Sequence, residues 1–286
     1  AAGSSLHISK YEELKAHFGV EGPTTLGNRW VQSVVVDEPI LQALDIDFRY
    51  MSMGVSDSRP EVDVGEDSYR DEFGILRRMP EGGLYYDVVE FPLSGAITIR
   101  DIVNFPWPDP TDPGYTRGVR DRALALREST DCAIVLQLAS PFVHTTQFLR
   151  GFEDWFMDIV GDPELATALF EATVEVSAAK VAAVMKEDGD LVDIVITADD
   201  LGFQNGPIVS PETYRKLFKP WHKKFFAAIK DNSPAFINFH CCGAVSDLLD
   251  DLIEIGVDAV NPVQVAAAGM DSAELAARFD GRITFW

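Results

Sequence analysis

From residue 118 onward, apolar and polar positions alternate between two periods. Val119 to Arg127 repeats at helical spacing, and Cys132 to Leu138 is a near-continuous apolar run of strand length. Phe148 to Val160 returns to the helical period as one amphipathic helix. A second helix is predicted to start at Asp162-Pro163-Glu164, a cap with proline in the first turn, and to run to about Lys186. Its apolar stripe passes through Leu165, Leu169, Ala172, Val176, Ala179 and Ala183. Leu191 to Ala198 reads as the next strand. Ser210-Pro211-Glu212 opens a helix carrying Arg215, Lys216, Lys219, Lys223 and Lys224, with a kink expected at Pro220. Phe236 begins another strand, Val245 to Ile255 a helix closed by Gly256, and Asp258 to Val260 a short strand. Asp271-Ser-Ala-Glu274 has capping-box spacing, and Ile283 to Trp286 begins a strand.

The first half is less regular. Ser9 to Phe18 is a helix closed by Gly19, and Val31 to Val36 and Ile46 to Met53 read as short strands. Ser56 to Glu81 is polar and is expected to be a long surface excursion. Leu84 to Glu90 and Ala96 to Ile99 are apolar segments that could pair. Four prolines between Phe105 and Gly114 forbid regular structure, and Trp107 is expected to anchor that loop by packing.

Continuous apolar strands alternating with helices predict a parallel sheet covered on both faces. With many such units and no dinucleotide-binding glycine motif, a (β/α) barrel is favoured over a doubly wound sheet. About seven strands can be counted, so a (β/α)8 TIM barrel is expected to be incomplete, and residues 1–286 are read as a single, apparently truncated domain without linker or repeat.

Composition narrows the picture only in part. The net charge of −22 argues against nucleic acid and anionic membranes as partners. Three cysteines, two of them adjacent, do not make a disulfide framework and fit a reduced, cytoplasmic setting. No apolar run reaches spanning length, and the opening Ala-Ala-Gly-Ser-Ser shows no leader.

Candidate chemistry gathers where barrel strands end, because loops at that rim build the sites of such folds. His240 and Cys242 close the Phe236 strand. Being two apart they share a face, while Cys241 points the other way into packing. An imidazole and a sulfur on one face are two of the ligands that zinc prefers. Asp199 and Asp200 follow the Leu191 strand and diverge, one as a ligand orienter or general base, the other bonding the Gly202–Gly206 loop. His144, Gln204, Asn261 and Gln264 lie on the same rim as candidate substrate contacts. Cys132 starts its strand and belongs to the opposite rim as a small buried hydrophobe. The basic helix beginning at Ser210 is read as a solvated face.

Three stretches together are similar to the uroporphyrinogen decarboxylase superfamily: Asp199 to Arg215, His240-Cys-Cys-Gly-Ala-Val, and Ile255 to Gln264, with Phe91-Pro-Leu and the Trp107 loop in agreement. Within it they resemble the zinc- and corrinoid-dependent methyltransferases. The resemblance implies a (β/α)8 barrel with zinc at its top on His240 and Cys242, and a further cysteine that would lie beyond Trp286. It also implies a corrinoid (methylcobalamin) protein as partner and methyl transfer to or from a thiol or similar acceptor. Arg29, Arg49 and Arg59 are isolated and do not reproduce the arginine motif of the true decarboxylases. A decarboxylase of porphyrin biosynthesis is the alternative, and a non-catalytic tetrapyrrole- or corrinoid-binding protein the second. Donor, acceptor and oligomeric state are not encoded in any motif.

Overall fold

The computed structural model describes residues 6–286; the opening segment 1–5, on which the absence of a leader was partly read, lies outside the described residues. Helix α1 (Ile8–Phe18) ends at Gly19, whose φ of 65° places it in the left-handed region as a helix stop requires. A small hairpin of β1 (Thr25–Asn28) and β2 (Ser33–Val35) follows, then α2 (Glu38–Ala43) and β3 (Phe48–Ser52).

The expected surface excursion is in fact a four-stranded antiparallel sheet of β4 (Val62–Asp63), β5 (Ser68–Arg70), β6 (Leu76–Arg78) and β7 (Asp87–Glu90), in that order. Tyr69, Ile75 and Leu76 are buried in it. Each strand is too short to display a period, which is why the stretch reads as polar loop. Leu84 to Glu90 pairs with β6 rather than with Ala96 to Ile99, because Ile99 begins α3 (Ile99–Val103) behind a capping box at Thr98 and Asp101. Trp107 anchors the proline-rich loop as expected, donating from Nε1 to the Ile102 carbonyl at 2.9 Å and packing edge-on to Phe105.

The second half follows the predicted alternation: α4 (Val119–Ser129), β8 (Ala133–Gln137), α5 (Val143–Arg150), α6 (Phe152–Gly161), α7 (Pro163–Asp188) and β9 (Ile194–Ala198). After these come α8 (Pro211–Thr213), a π-helical turn (Tyr214–Phe218), α9 (Lys219–Lys230), β10 (Phe236–His240), α10 (Leu249–Glu254), β11 (Ala259–Asn261), α11 (Ser272–Phe279) and β12 (Thr284–Phe285). The helix expected over Phe148 to Val160 is two helices, broken at Gly151, whose φ of 85° and ψ of 141° no helix accommodates. The expected start at Val245 moves to Leu249, behind a turn in which Leu248 N–H bonds Val245 O. Asp162 caps α7 by accepting from Leu165 N, as its spacing predicts. Of the predicted stripe Leu165, Leu169 and Val176 are buried, Ala172 and Ala183 are half-buried and Ala179 is exposed, while Phe170, Val174, Val181 and Met185 join the core instead.

Six parallel strands form one sheet in the order β3-β8-β9-β10-β11-β12. Each strand pairs with the next parallel strand along the chain, without the reversal of order that marks a doubly wound sheet. Among the described residues no closed barrel forms, and β3 and β12 are the sheet's edges. The sheet curves enough for Trp286, beyond β12, to meet Phe48 of β3 at 4.7 Å between ring centroids. The outer face packs under the helices in the main core, with Phe218, Phe225, Phe226 and Phe239 at its centre. The inner face carries Tyr50, Val135 and Ile196. Among the described residues no helix is long and apolar enough to cross a membrane.

Candidate functional site

Register and face decide what meets at the rim. His240 is level with Ala198 on β9 and Asn261 on β11. Residues of one face alternate, so Asp200, His240, Cys242 and Asn261 belong to the inner face with Ile196, while Asp199 and Cys241 turn outward to the helices. Ligand atoms of Asp200, His240 and Cys242 lie within 4.8 Å of one another. Cys242 Sγ is 3.4 Å from His240 Nε2. His240 Nδ1 is 2.8 Å from Asn261 Oδ1, and since an amide oxygen only accepts, that contact puts the ring proton on Nδ1 and leaves Nε2 free. Asn261 itself is held by donating from Nδ2 to Trp286 O. It therefore orients the imidazole.

Asp200 accepts from Cys242 N–H at 2.8 Å, and its second oxygen lies 3.5 Å from His144 Nε2. Burial works to raise this carboxyl, yet the His144 contact and the Cys242 N–H outweigh it and hold it at about 2. His144 is affected in the complementary way: burial lowers it, but the carboxylates of Asp200 and Asp199 outweigh that, for a net upward shift. Burial and the neighbouring Asp200 push the Cys242 thiol up to about 11.

Asp199 is fully buried and bonds the turn after β8, not the Gly202–Gly206 loop. It accepts from Ser140 Oγ, from Phe142 N–H at 3.3 Å and from His144 N–H at 3.2 Å. His222 Nε2 stands 3.1 Å from its other side. His222 had no signal in the sequence, being one ring on a helix read as a basic outer face. That face is solvated only in part, since Arg215 and Lys219 pair with Asp251.

Gln264 accepts from Gly243 N–H at 2.8 Å and donates to Gln204 Oε1 at 3.3 Å, so the two glutamines tie the β9 and β11 loops together beside the triad. Gly243 has a φ of 91°, and a Cβ there would sit 2.3 Å from the Gly202 backbone, so the β9 and β10 loops touch only because neither has a side chain. Cys241 is buried and accepts from Leu201 N–H at 3.3 Å, the packing role expected of it. Cys132 sits just before β8, on the opposite rim, half-buried rather than buried as expected, its thiol 3.8 Å from Ile46 O.

A profile of the Uroporphyrinogen decarboxylase (URO-D) family matches residues 91–272, which take in α3 through the start of α11 and the whole rim just described. The chain belongs to the uroporphyrinogen decarboxylase family. A solved methyltransferase from Methanosarcina mazei resembles this family member with a TM-score of 0.50 at 19% identity, over 66% of this chain and 53% of that one. The chain thus spans about half the length of that structure. No curated protein matches it. The family match accounts for the strand–helix order and for the Asp199, His240 and Asn261 segments lying on one rim.

Proposed function

We propose that this chain is a zinc-dependent methyltransferase of the uroporphyrinogen decarboxylase family, working with a corrinoid protein to move a methyl group to or from a thiol or similar acceptor. We read its sheet as an arc of a (β/α)8 barrel in one domain, supported by the nearest-neighbour strand order. The observation that carries the reading is the convergence of a carboxylate, an imidazole nitrogen and a thiol within 4.8 Å. Three such donors match in type and number the protein ligands of catalytic zinc sites. The likeness to a methyltransferase structure is in keeping with this choice.

Zinc bound by Asp200, His240 and Cys242 would lower the pKa of an acceptor thiol and hold it as thiolate for attack on a methyl carbon. The chain's own residues prepare that site. Asn261 accepts from His240 Nδ1 and so aims Nε2 at the ion's place. Asp200 is ionised throughout the physiological range. Cys242 keeps its proton without metal, so ion capture releases that proton and binding strengthens as pH rises. Free cysteines at 132, 241 and 242 suit a reducing cytoplasm.

Elemental analysis of the purified chain tests the proposal. Near-stoichiometric zinc is expected, lost in His240→Ala, Cys242→Ser and Asp200→Asn. Absent zinc, or zinc unchanged in those variants, rejects it. The family match keeps one competing reading in view, and carbon dioxide released from uroporphyrinogen without added metal would favour that decarboxylase.

A further inference from the structure

The helix after Ser210 is not regular. Pro220 has no N–H to give, and its ring crowds the carbonyl four residues before it. The ladder widens ahead of it into the π-helical turn Tyr214–Phe218, with Lys219 N–H reaching Tyr214 O five residues back. On an uninterrupted α-helix Tyr214 and His222, eight residues apart, would stand about 80° apart around the axis. The extra residue cuts this to about 20°. Tyr214 Oη accordingly lies 3.3 Å from His222 Nδ1.

A polar chain then runs through the core: Tyr214, His222 and Asp199, each fully buried. In the neutral imidazole a proton on Nε2 serves the Asp199 carboxylate, and Nδ1 accepts from the Tyr214 hydroxyl, so every polar atom of the chain is satisfied. At its far end Asp199 gathers Ser140 Oγ and the N–H groups of Phe142 and His144. That turn sets where the His144 ring sits, stacked 6.1 Å from Phe148 and facing the Asp200 carboxylate.

We infer that Tyr214 and His222 are positioning residues: they fix Asp199, Asp199 fixes the turn that carries His144, and His144 holds the Asp200 carboxylate toward His240 and Cys242. The last link rests on the metal-binding reading above; the earlier ones do not. A purely packing role is the alternative, since Phe142, Phe226 and Phe239 surround the His222 ring at 4.7, 5.8 and 5.5 Å. Shape and polarity separate the two.

His222→Leu keeps bulk and removes the donor, His222→Gln restores a donor near Nε2, and Tyr214→Phe deletes only the hydroxyl. On the full chain, ¹⁵N resonances of the His144 ring in metal-free protein and zinc affinity by competition with a chromophoric chelator are both read. His222→Leu is expected to shift the His144 resonances and weaken zinc binding about tenfold. His222→Gln should return both close to wild type, with Tyr214→Phe in between. Unshifted His144 resonances in His222→Leu, or a folded His222→Gln that restores nothing, overturn the inference. Should His222→Leu fail to fold, Tyr214→Phe decides on the same resonances. If the wild-type chain takes up no zinc while the resonances still respond, the metal reading falls and the positioning chain stands.

Discussion

At the scale of single residues, the outcome at the rim follows from which face of a strand each side chain occupies. Asn261 is the clearest case. Its oxygen is the partner of His240 Nδ1, and leucine there would free the ring to rotate and to change tautomer. Asn261→Leu is expected to weaken the proposed zinc binding about 10–100-fold with little change in fold, as chelator competition and circular dichroism would record. Asp188 is the opposite kind of residue. It ends α7, where the helix dipole disfavours negative charge, and neither carboxylate oxygen has a hydrogen-bond partner among the described residues. Burial, reinforced by Glu187, raises this carboxyl to about 6, above the value it takes in an unfolded chain. The folded state therefore holds a proton that the unfolded state has released. The stabilisation is complete below about pH 4 and is lost as pH rises through about 6. Asp188→Asn should be more stable than wild type at pH 7.5, by a smaller margin at pH 5, and nearly equal to it at pH 3.5, in urea titrations at the three pH values.

At the scale of elements, tight loops are as decisive as strands. Gly243→Ala would place a Cβ against the Gly202 backbone and force a left-handed conformation on a residue that resists it. A loss of about 1–3 kcal/mol is expected in urea denaturation, together with loss of the proposed zinc binding because Cys242 is the preceding residue. Sequence periodicity foretold the elements that are long or capped. The Asp162 cap, the Gly19 stop and the face shared by His240 and Cys242 all depend on spacing within one segment, so they could be read directly. What could not be read depends on partners far along the chain. The β4 to β7 sheet consists of strands of two to four residues, too few for a period. The role of His222 needs Asp199, 23 residues before it, and a helix widened by one residue. Asp200 could be named for its place after a strand, but not as a third donor beside His240 and Cys242. That requires the register of β9 against β10.

At the scale of the whole molecule, the antiparallel sheet and the proline-rich loop must be fastened to the parallel sheet's helices. One partly buried ion pair contributes to this beside the apolar cluster of Ile75, Leu93 and Ile102 on Leu165 and Leu169. Lys180, in the middle of α7, reaches both oxygens of Glu72 at 2.8 and 2.9 Å, under the ring of Tyr115 at 4.3 Å. Burial lowers the Lys180 ammonium, and Glu72 works against that loss. Lys180→Met leaves Glu72 partly buried without its cation and should cost about 2 kcal/mol, with faster proteolysis across the region before residue 118. The double change with Glu72→Leu should recover most of the loss, because both charges then leave together.

The touching rings of Phe48 and Trp286 join positions separated by 238 residues, 286 minus 48. Bringing such distant points together in a disordered chain costs about 5 kcal/mol of loop-closure entropy. One aromatic pair, worth about 0.5–1.5 kcal/mol beyond its buried area, cannot meet that cost alone. The intervening strands must already be laid side by side before the rings can find each other. This places the contact at the end of the folding sequence, as a seal on a curvature that the earlier pairings have built.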